Sequence, residues 1–366
     1  MLMSRLFGAT LREAPTGADS ASHALLVRAG FIRQLGQGLF SYLPPARRTL
    51  DRIESIIREE IEAIGGQEIT MPVVNPAEPW KSSGRWFSTG AELLRFRDRR
   101  DRDMLLAMAH EEVVSSLCRT EIRSYKQLPK LVYQIQTKFR DDPRPRAGLI
   151  RVREFTMKDS YSLDADEHGL EMQYQAHREA YSRIFSRCGL PVLEVGSDSG
   201  MMGDSTAHEF IYLTSVGEDS IVTCACCGYA ANLQVAVFEK TSEEAEAAPV
   251  ARIATPDCKS IEELAAFLGV QSNETAKAVL MIAGREGGDG AEERFVFAVV
   301  RGDMDVNETK LANAVKADWL RPATEGRDSQ GRRGPRVCLS RWVGPVRARG
   351  GGRHRTVVPQ PRGGGE

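Results

Sequence analysis

The chain has 366 residues, 42% of them hydrophobic and 27% charged, a composition typical of globular proteins long enough for two or three domains. Its 49 Lys and Arg residues nearly balance its 50 Asp and Glu residues. A polyanion would therefore have to bind a local basic patch, because the field of the whole molecule would not attract it. No apolar run approaches the roughly 18 residues of a membrane-spanning helix.

The first residues and the cysteines indicate a compartment. The opening segment lacks the uninterrupted apolar stretch of a secretory signal. Seven cysteines form an odd, mostly scattered set, which is more typical of reduced thiols than of a disulfide framework. We therefore expect a cytoplasmic protein.

The first 66 residues predict two helices. Residues 18–36 show apolar residues at helical spacing after the capping residues Asp19 and Ser20, and residues 36–45 predict a short aromatic strand or hairpin. Residues 46–66 predict an amphipathic helix that ends at two glycines. One face of this helix is expected to carry Leu50, Ile53, Ile57, Ile61 and Ile64.

Strands and helices then alternate without a repeated βαβ unit. Residues 67–76 predict a strand, residues 103–122 a strand that passes into a helix, and residues 168–188 a helix. Further strands are predicted over residues 131–140, 150–163, 191–198 and 208–215. This order predicts an α+β fold with an antiparallel sheet.

An arginine-rich hairpin, Thr137–Asp164, is the segment most suggestive of a ligand site. Arg140 leaves the first strand after Phe139, and Arg151 enters the returning strand before Phe155. Guanidinium groups bind phosphate through two parallel hydrogen bonds. Phe155 could stack on a base, and Asp142 could accept a hydrogen bond from an exocyclic amine. The pattern fits an adenine nucleotide site, and the alternative is a solvated charged hairpin.

This hairpin resembles motif 2 of the class II aminoacyl-tRNA synthetases. The motif pattern is matched by Phe139-Arg140-Asp141-Asp142 and by Arg151-Val152-Arg153-Glu154-Phe155, and motif 1 is matched upstream by Gly66, Ile69, Pro72, Val73 and Val74. Residues 22–44, 124–146, 153–162 and 207–213 are similar to the bacterial prolyl-tRNA synthetases in particular. The resemblance runs from the N-terminus to about Thr324.

The resemblance implies a fold, a reaction and partners. The fold is the class II antiparallel sheet with flanking helices, dimeric through motif 1 around Pro72. The reaction is the ATP- and Mg²⁺-dependent activation of proline to prolyl-adenylate and its transfer to tRNA(Pro), with editing of mischarged alanyl-tRNA(Pro). The alternative is a tRNA-binding or trans-editing module that forms no adenylate.

The resemblance also implies roles for individual residues. Arg140 would contact the α-phosphate and the proline carboxylate, and Arg151 the outer phosphates. Phe155 would stack on adenine, with Asp142 where the family usually has Glu. Glu111 would bind the prolyl ammonium.

The same pocket contains a departure from the family and two histidines. Ala109 replaces a family threonine. His208 matches a position near the proline site, although a structural histidine is the alternative. His110 is expected to be a partly exposed residue at a helix start.

Three parts of the chain are predicted: a catalytic core at residues 1–223, an incomplete editing insertion at residues 224–325 and a disordered tail at residues 326–366. Lys277 matches a lysine implicated in editing, and the alternative is an exposed helix lysine. Cys224 and Cys227 have the spacing of a zinc knuckle, but a closed site needs four ligands, so we expect free thiols and no metal site.

The chain departs from the family after about Glu325. Motif 3, the rest of the editing insertion and the anticodon-binding domain do not appear in the sequence. Codons that are allowed for Gly326–Val343 can encode a sequence similar to that of the family when they are translated one base later. We therefore hypothesise a frameshift. We expect a chain without these parts to be an impaired ligase.

Overall fold

The computed structural model describes residues 2–197, 207–214, 217, 219–237, 253–256, 258–285 and 292–323. The chain forms two compact units, Met1–Val192 and Leu193–Glu366. The predicted tail lies outside the described residues, and the predicted domain boundaries stay predictions. Within the described ranges, no helix has both the length and the apolar character needed to cross a membrane.

The first unit mixes helices with short and long strands. In chain order its elements are α1 (Ala21–Arg28), β1 (Ile32–Gly36), β2 (Leu39–Tyr42), α2 (Pro44–Ala63), β3 (Gln67–Glu68), β4 (Val74–Pro76), α3 (Ala77–Ser82), α4 (Arg85–Ser88), β5 (Arg95–Arg97), β6 (Asp103–Leu106), α5 (Glu111–Glu121), β7 (Lys130–Phe139), β8 (Glu154–Leu163) and α6 (Glu167–Arg187). Its sheets have the strand orders β1-β2, β4-β6-β5 and β3-β7-β8.

The second unit contains two further sheets. Its elements are β9 (Val192–Ser197, which begins at the last residue of the first unit), β10 (Ala207–Tyr212), β11 (Ile221–Thr223), β12 (Ala230–Asn232), α7 (Ile261–Leu268), β13 (Ala276–Arg285), β14 (Glu292–Arg301), α8 (Glu308–Val315) and β15 (Trp319–Pro322). Their strand orders are β10-β9-β12-β11 and β14-β13-β15. Across both units, antiparallel pairs predominate and helices flank the sheets, which confirms the α+β prediction.

The first predicted helix is only half correct. It begins after Ser20, whose side chain accepts from the His23 amide, and it ends at Arg28. Gly30 then adopts φ +73°, a left-handed conformation that favours glycine and does not continue a helix. Residues 32–36 instead form β1, which pairs with β2. Helical spacing of apolar residues was therefore misleading beyond the glycine.

The second predicted helix is confirmed, but its buried face is shifted. Ile61 is fully buried and Ile56 is 6% exposed, whereas Ile53 is 37% exposed. The buried isoleucines pack with Tyr133 of β7 and with Ala180 and Ile184 of α6 in one core cluster. The residues of β7 and α6 that pack against α2 therefore determine which face of α2 is buried. The sequence of α2 alone does not contain this information.

The strand predicted over residues 67–76 is two short strands. β3 pairs in parallel with β7, and β4 pairs with β6 in a different sheet. The residues between them, including Met71 and Pro72, therefore cross from one sheet to the other. The strand-then-helix at residues 103–122, the helix α6 and the β7–β8 pair all agree with prediction.

The β7–β8 ladder forms the framework of the candidate site. It pairs ten residues on each strand, from Lys130 opposite Leu163 to Phe139 opposite Glu154. Tyr133 and Ile135 of β7 face the core cluster with α2 and α6. Successive side chains of a strand point to opposite faces, so Gln134, Gln136 and Lys138 lie on the other face.

A half-buried lysine joins β8 to α6. The Lys158 Nζ donates to the Tyr181 hydroxyl at 2.6 Å and lies 4.3 Å from the centre of the Tyr181 ring. Burial lowers the pKa of Lys158 to about 8, because removal from water disfavours the ammonium.

This lowered pKa predicts a pH dependence of stability. The folded-state pKa lies below the unfolded one, so between them the unfolded chain binds more protons and stability rises with pH. From about pH 7.5 to about pH 9.5, Lys158 should add about 1–2 kcal/mol to the free energy of unfolding. Urea unfolding of the wild type and of Lys158→Met at both pH values measures it. An equal pH response in the two proteins would contradict the prediction.

Candidate active site

The loop between β7 and β8 is held in place by backbone contacts on both sides. The Arg140 amide donates to the Arg153 carbonyl at 2.8 Å, and Arg146 and Arg151 exchange two backbone hydrogen bonds at 3.0 and 3.1 Å. Ala147 adopts φ +55°, and its amide donates to the Asp19 carboxylate at 2.7 Å. These contacts hold the backbone of the loop in one conformation, while the Arg144 and Arg146 side chains are exposed.

Arg140 and Phe155 lie together. The Arg140 Cζ is 5.5 Å from the centre of the Phe155 ring, a distance at which a guanidinium is attracted to an aromatic face. One Arg140 Nη donates to the Met108 carbonyl at 3.4 Å. The Arg140 Nε is buried and has no hydrogen-bond partner among the described residues. A buried donor of this kind suits an anionic group such as a carboxylate or a phosphate.

Asp142 and Arg151 also lie together. The Asp142 carboxylate accepts from the Arg151 Nε at 2.6 Å and from the Arg144 amide at 2.7 Å. Burial raises the pKa of Asp142, but the Arg144 amide and the Arg151 guanidinium outweigh it, so the pKa lies below its usual range. An ionised Asp142 therefore orients Arg151.

Glu111 begins α5, where the sequence predicts the ammonium-binding carboxylate. The Arg85 Nη1 donates to Glu111 at 3.1 Å and to Glu112 at 3.1 Å. The Arg85 guanidinium lies 5.0 Å from the Trp80 ring centre. The sequence analysis did not identify Arg85, which comes from α4, 26 positions earlier. No local pattern reveals this pairing.

His110 differs from its expectation. It lies at the start of α5 as predicted, but it is fully buried rather than partly exposed. Its Nε2 lies 3.0 Å from the Pro72 carbonyl, which can only accept, so Nε2 carries the hydrogen. Its Nδ1 then accepts from Lys138. Burial lowers the pKa of His110, in agreement with a neutral ring.

Lys138 is the buried cation of this site, and the sequence analysis did not identify it. Its side chain is 0% exposed, and its Nζ lies 2.7 Å from the Asp159 carboxylate. Gln134 also donates to Asp159, at 2.9 Å. The alternation of Gln134, Gln136 and Lys138 with apolar residues on β7 was an available signal, because it marks a polar face on a central strand.

The remaining predicted residues lie in the second unit. His208 is on β10 and stays a prediction. Lys277 is on strand β13 and not on a helix, and its Nζ lies 2.5 Å from Asp305. Cys224 and Cys227 lie in the turn between β11 and β12. Among the described residues, no group of three His, Cys, Asp or Glu side chains could hold a metal ion.

Two known protein families match successive segments of the chain. Residues 94–255 match the tRNA synthetase class II core domain (G, H, P, S and T), and residues 255–327 match the aminoacyl-tRNA editing domain. The chain therefore carries a class II tRNA synthetase core domain followed by an aminoacyl-tRNA editing domain. The matched core contains Glu111, Arg140, Arg151 and Phe155, and the editing match contains Lys277.

Curated relatives refine the family. The chain is 57% identical over 326 residues to a proline–tRNA ligase of Salinispora tropica and 49% identical over 324 residues to one of Anaeromyxobacter sp.. Each alignment covers 88% of this chain, and the chain spans 55% of each relative. A solved Giardia lamblia prolyl-tRNA synthetase aligns with 45% of this chain and 35% of its own length, with TM-score 0.43 and 22% identity.

The buried Lys138–Asp159 pair predicts a large stability effect in the synthetase core. Lys138→Met leaves the Asp159 carboxylate, only 17% exposed, without its cation and should reduce the free energy of unfolding by about 3–5 kcal/mol. Lys81→Met is the matched control: Lys81 pairs with Asp103 at 2.6 Å, but both side chains are about one-third exposed, so about 1 kcal/mol or less is expected. Urea unfolding measures both, and similar losses would contradict the assignment.

Proposed function

We propose that the chain carries the amino-acid-activating site of a proline–tRNA ligase. The observation that supports this most is its 57% identity over 326 residues to such a ligase, an alignment that covers 88% of this chain. Because the chain spans 55% of that relative, the activity of the whole enzyme is part of the proposal.

The reaction needs positioning and charge stabilisation more than covalent catalysis. The proline carboxylate attacks the α-phosphorus of ATP, pyrophosphate leaves, and the adenylate is then transferred to the 3′ end of tRNA(Pro). Negative charge develops on the phosphate oxygens, and preorganised donors stabilise it. Mg²⁺ that accompanies ATP would offset part of the negative charge of the leaving pyrophosphate.

Arg140 and Arg151 supply these donors in the proposal. The unpaired Arg140 Nε is available to the proline carboxylate and the α-phosphate. Arg151 faces the outer phosphates while Asp142 fixes its Nε, which leaves its terminal amines as donors. Phe155 presents an aromatic ring to the adenine. The contacts of Arg140 with Phe155 and of Arg151 with Asp142 support this arrangement.

Glu111 is proposed to bind the prolyl ammonium, and it shares its charge with Arg85. Arg85 also pairs with Glu112, so two carboxylates surround one guanidinium and net negative charge remains for the substrate. Ala109 lacks the hydroxyl that the family threonine provides. One lost hydrogen bond to a charged group should weaken proline binding by about one to two powers of ten.

The proposed partners follow from the reaction. They are proline, ATP, tRNA(Pro) and a second copy of the chain that contacts the Pro72 region, and the compartment is the cytoplasm, where tRNA is charged. Support for the dimer is the motif 1 resemblance of residues 66–74, which form the crossing between β3 and β4. Sedimentation at micromolar concentration would detect the dimer.

A matched pair of arginine variants tests the activating site. Arg140→Lys keeps the charge but loses the guanidinium fork, and it should reduce proline-dependent pyrophosphate exchange about 100-fold or more. It should also weaken binding of a sulfamoyl analogue of prolyl-adenylate. Arg97→Lys, at a 61% exposed side chain paired with Asp101, should change neither.

The outcomes separate the hypotheses. Binding of the prolyl analogue that Arg140→Lys weakens supports an adenylate site, whatever the turnover. A folded wild-type chain that shows neither binding nor exchange would overturn the proposal.

The editing match supports a second activity, hydrolysis of alanyl-tRNA(Pro). Lys277, held beside Asp305, is proposed to act on the tRNA-linked substrate. Lys277→Ala should reduce deacylation of alanyl-tRNA(Pro) about tenfold or more, whereas the exposed Lys259→Ala should not. Equal deacylation by Lys277→Ala and the wild type would remove Lys277 from this role.

A further inference from the structure

Three cysteines lie on a single turn of the second unit. Cys224 directly follows β11, and Cys226 and Cys227 lie in the turn that leads to β12. The Cys224 amide donates to the Tyr229 carbonyl at 2.8 Å and so extends the β11–β12 ladder by one rung. The turn is thus anchored to a strand pair.

The turn brings Cys224 and Cys227 to the spacing of a disulfide. The Gly228 amide donates to the Cys224 carbonyl at 3.0 Å, a bond from residue i+4 to residue i that closes one turn of helix-like backbone. In such a turn, Cα atoms three positions apart are separated by roughly 5 Å and lie on the same face. Disulfides join Cα atoms about 4.4–6.8 Å apart.

The surroundings of Cys224 favour its thiolate. Hydrogen bonds to its sulfur from the Cys227 and Cys226 amides, then from the Cys227 thiol and last from the Cys226 thiol, hold the pKa of Cys224 below its usual range. Cys118, in the first unit, shows the opposite behaviour, because burial raises the pKa of its thiol. The two cysteines provide an internal comparison.

Exposure makes the turn accessible to small oxidants. Cys224 is half-buried, and Cys226 and Cys227 are exposed. Of these two exposed thiols, that of Cys227 makes the stronger hydrogen bond to the Cys224 sulfur. Cys227 is therefore the thiol placed to react with Cys224.

We propose that Cys224 and Cys227 form a redox-active dithiol that closes to a disulfide when a hydroperoxide oxidises it. The Cys224 thiolate attacks the peroxide O–O bond and becomes a sulfenic acid, and the leaving oxygen takes a proton to form water or an alcohol. The Cys227 thiol then attacks the sulfenic sulfur, the S–S bond forms, and water leaves. Two thiols are oxidised and one peroxide is reduced.

Hydrogen peroxide and the full reduced chain test the proposal. The disulfide is identified by peptide mass spectrometry, and the rate is followed by thiol loss. Cys224 should react about tenfold or more faster than Cys118, since thiolate fraction controls the rate. Cys224→Ser should abolish the rapid phase. Cys227→Ser should stop at a sulfenic acid that a cyclic 1,3-diketone traps.

Two controls separate this pair from the other thiols. Cys226→Ser and Cys118→Ser should each form the Cys224–Cys227 disulfide at the wild-type rate, and circular dichroism should show that every variant is folded. Reaction of Cys224 no faster than Cys118, or a disulfide that uses Cys226, would overturn the proposal. So would stoichiometric binding of Zn²⁺ that protects both thiols from peroxide, because it would assign the turn to metal binding.

Discussion

A single buried ammonium, that of Lys138, joins the segments that form the synthetase site. It lies between the His110 ring and the Asp159 carboxylate, and His110 in turn donates to the Pro72 carbonyl. These contacts link the start of α5, strand β7, strand β8 and the crossing between β3 and β4. Glu111, Arg140 and Phe155 are each within four residues of one of these contacts. Their relative positions therefore depend on the Lys138 network.

The network also decides which charges remain available to a ligand. Burial lowers the pKa of Lys138, and hydrogen bonding to Asp159 opposes that shift. Asp159 thus balances the charge of Lys138. Lys138 lies two residues before Arg140. Arg140 keeps a buried Nε without a partner among the described residues. The interior charge of Lys138 is thus balanced, and Arg140 leaves a buried guanidinium donor available to an anion.

The sequence predicted contacts between residues that lie close together along the chain. Phe139-Arg140 and Arg151 to Phe155 flank one hairpin, so their spacing alone indicated that they meet across two strands. The structure brings Arg140 to Phe155 and Asp142 to Arg151. The overall α+β class also followed from the order of helices and strands.

Other features depend on partners that local sequence does not contain. The Arg85–Glu111 pair joins residues 26 positions apart, and burial of His110 results from packing against residues 72 and 138. The helix was predicted to continue past the end of α1 because the helical spacing of apolar residues was given more weight than Gly30, which ends the helix. In these cases tertiary contacts, rather than propensity, determined the outcome.

Both units direct backbone amides at an anionic side chain, and the neighbouring charges decide what each anion can do. In the synthetase loop, the Asp142 carboxylate accepts the Arg144 amide and is then neutralised by Arg151, so it is a fixed structural acceptor. At the β11–β12 turn, the groups that lower the pKa of Cys224 are two amides and two thiols. Amides stabilise a thiolate without covering it, as in anion-binding turns. Backbone amides therefore support an ionised carboxylate that orients an arginine in one unit and favour the thiolate form of a cysteine in the other.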